Sequence, residues 1–158
     1  SRMYFEKTII FIGKLISLLI PVMTLLMIAV IIARYFFGIG LTGVQELIMY
    51  IHALIFLGCA GFVHLKDEHV RVDIFYRESK DAYKHNTNFI LSFLFLIPVC
   101  FVIGFYSLEL IEMSWKIKEA STEAGGLEFV YVQKSLIILF PVTLMLTFAY
   151  QLLDKKWK

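Results

Sequence analysis

Four histidines, His52, His64, His69 and His85, are the side chains of this sequence best suited to hold a haem or a metal ion. A four-helix haem b protein sets axial histidines in facing pairs across its bundle. His52 and His64 are twelve residues apart on one apolar segment. In a helix that separation is about 18 Å of rise and about 120° of rotation, so the two cannot be axial partners to one haem. His85 can approach His64 from a neighbouring helix, but no further ligand accompanies it. Cys59 and Cys100 lie in apolar runs and form no Cys-x-x-Cys, which reads as two buried thiols rather than a zinc or redox site. Gly125-Gly126 lacks the downstream Lys-Ser/Thr of a phosphate loop. No Ser-His-Asp set and no pair of carboxylates stands out. The chemistry therefore points away from an enzyme, and no catalytic residue, metal or cofactor is assigned.

The elements that carry these residues are unusually apolar. Of 158 residues 59% are hydrophobic and only 18% charged, and the mean hydropathy is +0.78. A chain this short cannot hide so much apolar surface from water inside its own core. The net charge of +2 leaves no electrostatic footprint for nucleic acid. Stretches of 19, 19, 24 and 19 residues without Asp, Glu, Lys or Arg lie between Lys14 and Arg34, Glu46 and Lys66, Lys84 and Glu109, and Lys134 and Asp154. A bilayer core of about 30 Å needs roughly 20 helical residues. The expected fold is an all-α integral membrane domain, residues 1–158, with four transmembrane helices at about Thr8–Tyr35, Val44–Leu65, Thr87–Leu108 and Val132–Leu153. Pro21 either kinks the first span or marks a thinner first turn, and Pro98 and Pro141 sit inside the third and fourth, where membrane helices tolerate proline.

Charge asymmetry orients the domain. The two termini and the second loop carry 11 Lys and Arg residues, and the first and third loops carry 4. The positive-inside rule places both termini in the cytoplasm and loops one and three outside. Loop one is short, with Gly38, Gly40 and Gly43 as turn formers. Residues Ser1–Lys14 mix aromatic and charged types in a way that suits a lipid interface. In loop two, Val72–Tyr83 reads as an interfacial amphipathic helix on the inner surface. Loop three, Glu109–Gln133, is the longest outer segment, with Trp115 at an aromatic-belt position and Gly125-Gly126 as a helix break.

The remaining features speak of packing. Every Asp, Glu, Lys and Arg falls near a span end, whereas a chain that carries protons or ions itself needs an ionisable group at the midplane. Gly58, Cys59, Ala60 and Gly61 form a small-residue patch that permits close helix approach. His52, inside the second span, is expected to make a hydrogen bond within the bundle or to a partner helix. Arg34 and Glu46 flank the first outer loop, either as an ion pair, as a contact to a neighbouring subunit, or as solvated span ends.

An ordered set of segments then resembles a known family. Arg34-Tyr35-Phe36-Phe37-Gly38 closes the first span, Glu46 opens the second, Phe56-Leu57-Gly58 lies within it, and His69-Val70-Arg71-Val72-Asp73 follows. This order and spacing is similar to the small membrane subunit (Q-type, DctQ-like) of tripartite ATP-independent periplasmic (TRAP) transporters. Glu119–Gly126, followed by Lys134-Ser135-Leu136-Ile137 and Pro141, looks like the branch labelled for mannitol or chloroaromatic compounds. The resemblance implies residence in the bacterial inner membrane and a non-catalytic role. In such systems a periplasmic substrate-binding protein delivers a small organic anion, and a large multi-span subunit moves it with sodium ions by an elevator-type movement. The small subunit packs on the scaffold of the large one and adds to the docking surface.

Placed on that scheme, Arg34, Gly38, Glu46, Lys118, Glu119 and Glu123 are expected at the surface that meets the binding protein. His52, Gly58 and Gly61 are expected to pack on the large subunit. Arg71 and Arg77 are expected at anionic lipid headgroups, with Asp73 pairing to Arg71 or to a partner residue. Two readings of other classes stand beside this one: a four-helix haem b redox protein, which a Soret change on reduction would reveal, and a structural subunit of an unrelated membrane complex.

Overall fold

A computed structural model describes residues 2–69 and 80–154. The stretch containing Arg71, Asp73 and Arg77, and with it most of the expected interfacial helix, lies outside the described residues. Every regular element among the described residues is helical: α1 (Arg2–Ser17), α2 (Leu19–Phe37), α3 (Thr42–Lys66), α4 (Asp81–Leu91), α5 (Ile97–Ile117), α6 (Val130–Ser135) and α7 (Leu139–Asp154). They assemble into four rods long and apolar enough to cross a bilayer, at Glu6–Phe37, Thr42–Lys66, Tyr83–Ile117 and Val130–Leu153. The Tyr150 hydroxyl donates to Glu6 Oε2 at 2.9 Å, so the first and last helices meet at one end of the bundle. We call this the terminal end. The opposite end, the loop end, carries the links at 38–41 and 118–129.

Each of the three prolines disturbs the turn before it, for one reason. Proline has no N–H to give the carbonyl four residues back, and its ring presses on that carbonyl. Ahead of Pro21 the helix breaks at Leu18, which separates α1 from α2. Ahead of Pro98 the backbone widens into a π-helical turn over Ser92–Leu96. Ahead of Pro141 it tightens into a 3-10 turn over Leu136–Ile138. In all three spans the rod continues past the proline, because neighbouring turns absorb the displaced carbonyls.

The third rod is longer than charge counting suggests. Glu109, Glu112 and Lys116 belong to α5 rather than to a loop, and Glu112 and Lys116 pair at 2.6 Å one turn apart. A charge-free stretch measures the apolar slab, and charged residues at a slab's edge do not end a helix. Thirty-five helical residues from Tyr83 to Ile117 span about 52 Å, well beyond a bilayer core of about 30 Å. Helix α5 stops where Lys118 takes a left-handed turn, φ 47°, and α2 stops similarly at Gly38, φ 65°.

The bundle is centred on α3 and α7. At their crossing, Gly61 lies so close to α7 that a Cβ added there would stand 2.3 Å from the Thr143 carbonyl oxygen. The Thr147 hydroxyl, fully buried, donates to Gly61 O at 2.9 Å, and the Gly61 N–H points at Thr143 Oγ1 at 3.3 Å. Gly58 faces Ile16 of α1, and Gly13 of α1 faces the Phe62 ring, so α1 seats against the other side of α3. The amphipathic start of the chain is therefore packed on the bundle through Ile9 and Gly13, as well as presenting Tyr4 and Phe11 outward. Spans one and three are peripheral: only 6% and 11% of their most apolar stretches are buried, against 28% in span four.

The Gly61 contact yields a prediction. Gly61→Val must push against backbone atoms that cannot yield, at a cost of about 1–3 kcal/mol. Its thermal midpoint in detergent should fall clearly, while Gly104→Ala, whose added Cβ would meet Pro141 at an ordinary 3.8 Å, should leave it unchanged.

Candidate docking surface

At the loop end, Glu46 near the start of α3 grips the segment that connects α5 to α6. One carboxylate oxygen accepts the Ser121 hydroxyl, and the other accepts the Leu127 N–H at 2.6 Å. Ser121 and Leu127 are themselves joined, the Ser121 N–H donating to Leu127 O at 3.0 Å. Inside that ring the Gly126 N–H donates to Glu123 O at 3.0 Å, and Gly125 adopts φ 77°. Two glycines make the approach possible. A Cβ on Gly126 would stand 2.4 Å from Ser121 Oγ, and one on Gly43 would stand 3.0 Å from the Gly125 carbonyl oxygen. Of the readings open for Arg34 and Glu46, the ion pair between them does not form. The carboxylate is committed to the loop, and Arg34 is exposed at the end of α2.

A second brace holds the same loop to α5 and α6. Glu119 Oε2 accepts the buried Ser114 hydroxyl at 2.6 Å and the Lys134 ammonium at 2.5 Å. The Lys134 hydrogen bond foremost, and then that of Ser114, hold the Glu119 carboxyl below its ordinary range. Beside it, the Lys118 ammonium sits 4.5 Å from the centre of the Trp115 ring and 4.9 Å from that of Tyr131. The two rings meet edge to face at 4.7 Å, and the indole N–H donates to Ser135 Oγ at 2.7 Å. Trp115, placed by sequence at a membrane boundary, is thus also the floor of a cation site within the chain.

The six residues expected at a docking surface divide accordingly. Glu46 and Glu119 are half-buried and brace the loop from within, Lys118 is exposed but laid over the Trp115 and Tyr131 rings, and Arg34, Gly38 and Glu123 are exposed. Gly38 serves the backbone, closing α2 with the Ile39 N–H on Ala33 O at 3.0 Å. Ser121, Tyr131 and the Leu127 N–H escaped sequence reading, and Gly43, read as a turn former, instead lets the Gly125 carbonyl approach α3. Only Gly125-Gly126 signalled that the chain turns sharply here.

The residues considered for packing and for haem lie elsewhere. Gly58 and Gly61 make their close approaches inside this chain. His52 is exposed midway along α3, its ring stacked 6.4 Å from that of Phe56. The rings of His64 and His69 are 5.9 Å apart at the terminal end, with His69 Nε2 3.3 Å from the Ala60 carbonyl oxygen. Cys59 and Cys100 are free thiols. Among the described residues, no three His, Cys, Asp or Glu side chains are placed to hold a metal ion.

A four-span bundle whose charges sit at its ends, with a braced platform at the loop end, defines a helical membrane component. Residues 23–155 match the family described as tripartite ATP-independent periplasmic transporters, DctQ component. The chain belongs to that family, and it is a multi-pass protein of the inner membrane and a small subunit of a transport system. No curated protein and no solved structure matches it significantly.

Two outcomes are expected. Glu46→Ala releases both anchors of the loop, so hydrogen exchange at the Leu127 amide should accelerate several-fold and proteases should cut within 118–129. The Glu119 brace contributes its full stability above pH 4.5, the ordinary glutamate value, and loses it as pH falls through the lower native value. Unfolding midpoints of wild type and Glu119→Gln should therefore differ at neutral pH and converge in acid.

Proposed function

We propose that this chain is the non-catalytic small membrane subunit of a sodium-coupled secondary transporter that imports a small organic anion delivered by a periplasmic binding protein. It packs on the scaffold of a large elevator-type subunit and contributes part of the surface on which the binding protein docks. The observation that carries this reading is the braced loop at 118–129. A segment of that length without regular structure is ordinarily mobile, and this one is held at both ends by carboxylates. A fixed loop lowers the ordering cost of forming a complex. Its outward side chains include Glu123 and Glu128, and Arg34 stands at the same end of the bundle. Charges at such a rim steer encounter and tune specificity more than they add affinity.

Orientation supports the same assignment. In the sequence the termini and the second loop carry 11 Lys and Arg residues and the first and third loops carry 4, so the loop end faces the periplasm, where the binding protein resides. Arg71 and Arg77 then meet anionic headgroups on the inner surface, with Asp73 as a pairing carboxylate. The face of α3 that carries His52 packs on the large subunit. Gly58 and Gly61, set against α1 and α7, hold that face in place from behind. We assign the chain to the branch labelled for mannitol or chloroaromatic compounds on the strength of Glu119–Gly126, Lys134–Ile137 and Pro141.

A pull-down from native membranes in mild detergent should recover a large multi-span protein. Recovery of the chain alone would refute the scaffold role. Thr122→Cys should react with a membrane-impermeant maleimide added from the periplasmic side, and labelling only after lysis would reverse the orientation. Glu123→Lys combined with Glu128→Lys should slow uptake several-fold at limiting binding protein and recover at saturation. Unchanged uptake under both conditions would remove these residues from docking.

A further inference from the structure

The outer surface of the bundle is almost wholly apolar, and its polar side chains within the spans largely satisfy themselves. The hydroxyls of Thr8, Ser17, Thr24 and Ser107 each bond to a carbonyl three or four residues back on their own helix. Arg34, Lys66 and Lys134 sit at rod ends, within reach of water or headgroups. His52 does neither. It lies ten residues from the start of α3 and fourteen from its end, about 15 Å and 21 Å along the axis. Its side chain is exposed, and among the described residues it stacks on Phe56 without a hydrogen bond to either ring nitrogen. An imidazole on a single methylene cannot reach the headgroups from mid-depth. It also makes no bond to a carbonyl of its own helix here.

In hydrocarbon this position carries an unpaired donor and acceptor. Ionisable groups at such depth are rare, and they face a protein neighbour or a water-filled cavity. Among the described residues, the apolar cavities between α5 and α7 and between α1 and α7 do not include His52. Met49 and Phe56, one turn away on either side, are 58% and 66% exposed and complete a continuous face. Met is suited to such a seat, since its flexible thioether adapts to an irregular partner surface.

We infer that the Met49–His52–Phe56 face of α3 seats the large membrane subunit, with His52 hydrogen-bonded to a polar group of that subunit at mid-depth. This rests on the transporter reading above and goes further by naming the mid-depth bond and the flanking Met49 and Phe56. Lipid is disfavoured as the occupant because acyl chains offer the imidazole nothing. A second copy of this chain would have to bring its own mid-depth polar group, and His52 is the one ionisable side chain exposed near the middle of a span among the described residues.

The test uses the complex in native membranes, with a photo-crosslinking amino acid at position 52 of this chain and the large subunit co-expressed. The expected result is a covalent adduct with the large subunit. An adduct with a second copy of this chain, or with lipid alone while the complex remains intact, would overturn the inference and leave the transporter reading standing. If unmodified chain fails to retain the large subunit at all, the transporter reading itself falls. A second measurement guards against a merely structural effect. His52→Leu should lower recovery of the large subunit roughly three- to twentyfold, the range for one hydrogen bond between membrane helices, and His52→Gln should retain more. The thermal midpoint of the isolated His52→Leu chain should be unchanged or higher. Equal recovery for wild type and His52→Leu would sink the inference.

Discussion

Between Gly61 and Thr143 there is no room for a methyl group, and the bundle is arranged around that contact. Lipid tails are as apolar as leucine, so hydrophobic burial gives two membrane helices little reason to associate. What remains is close packing and the hydrogen bonds that close packing permits. Gly61 and the buried Thr147 provide both, since one backbone carbonyl accepts a hydroxyl from the opposing helix at 2.9 Å. Once α3 and α7 cross there, Gly58 and Gly13 seat α1 on the other side of α3. Spans one and three are left at the periphery.

The same crossing decides what happens at the loop end. It brings the start of α3 beside the segment that leads into α7, and so puts Glu46 within reach of Ser121 and the Leu127 N–H. The Glu119–Lys134 pair and the Trp115–Lys118–Tyr131 cluster hold the remaining side of that segment. Rigidity at one end of the bundle contrasts with the bare apolar walls of the rods. This division of surface suits a membrane component of a larger assembly: a shaped platform toward one aqueous side, and flanks made for lipid and for another membrane protein.

Much of this was legible in the linear pattern. Four charge-free stretches state four rods, because a charge in hydrocarbon costs more than any packing returns. Pro21 signalled a disturbance of the first rod, while the π and 3-10 turns ahead of Pro98 and Pro141 became visible only in the structure. The ordered segments from Arg34 to Asp73 pointed to the transporter family that the match over 23–155 establishes. Helix ends were less legible. Glu109 to Ile117 looked like loop, since charge reports the edge of the membrane and not the end of a helix.

The partners of individual side chains belonged to the tertiary structure alone. Glu46 appeared beside Arg34 in sequence and bonds instead to residues 75 and 81 positions away. Gly58 and Gly61 announced a close approach, expected on the large subunit, and their close contacts are to α1 and α7 of the same chain. His52 was expected to find a bond inside the bundle or on a partner, and the packing of α3 turned it outward. Composition and charge act on the chain wherever it goes, so the sequence by itself determines the class and the number of spans. A hydrogen bond or a van der Waals contact acts over a few ångströms. Which residues meet is therefore decided only when the helices cross.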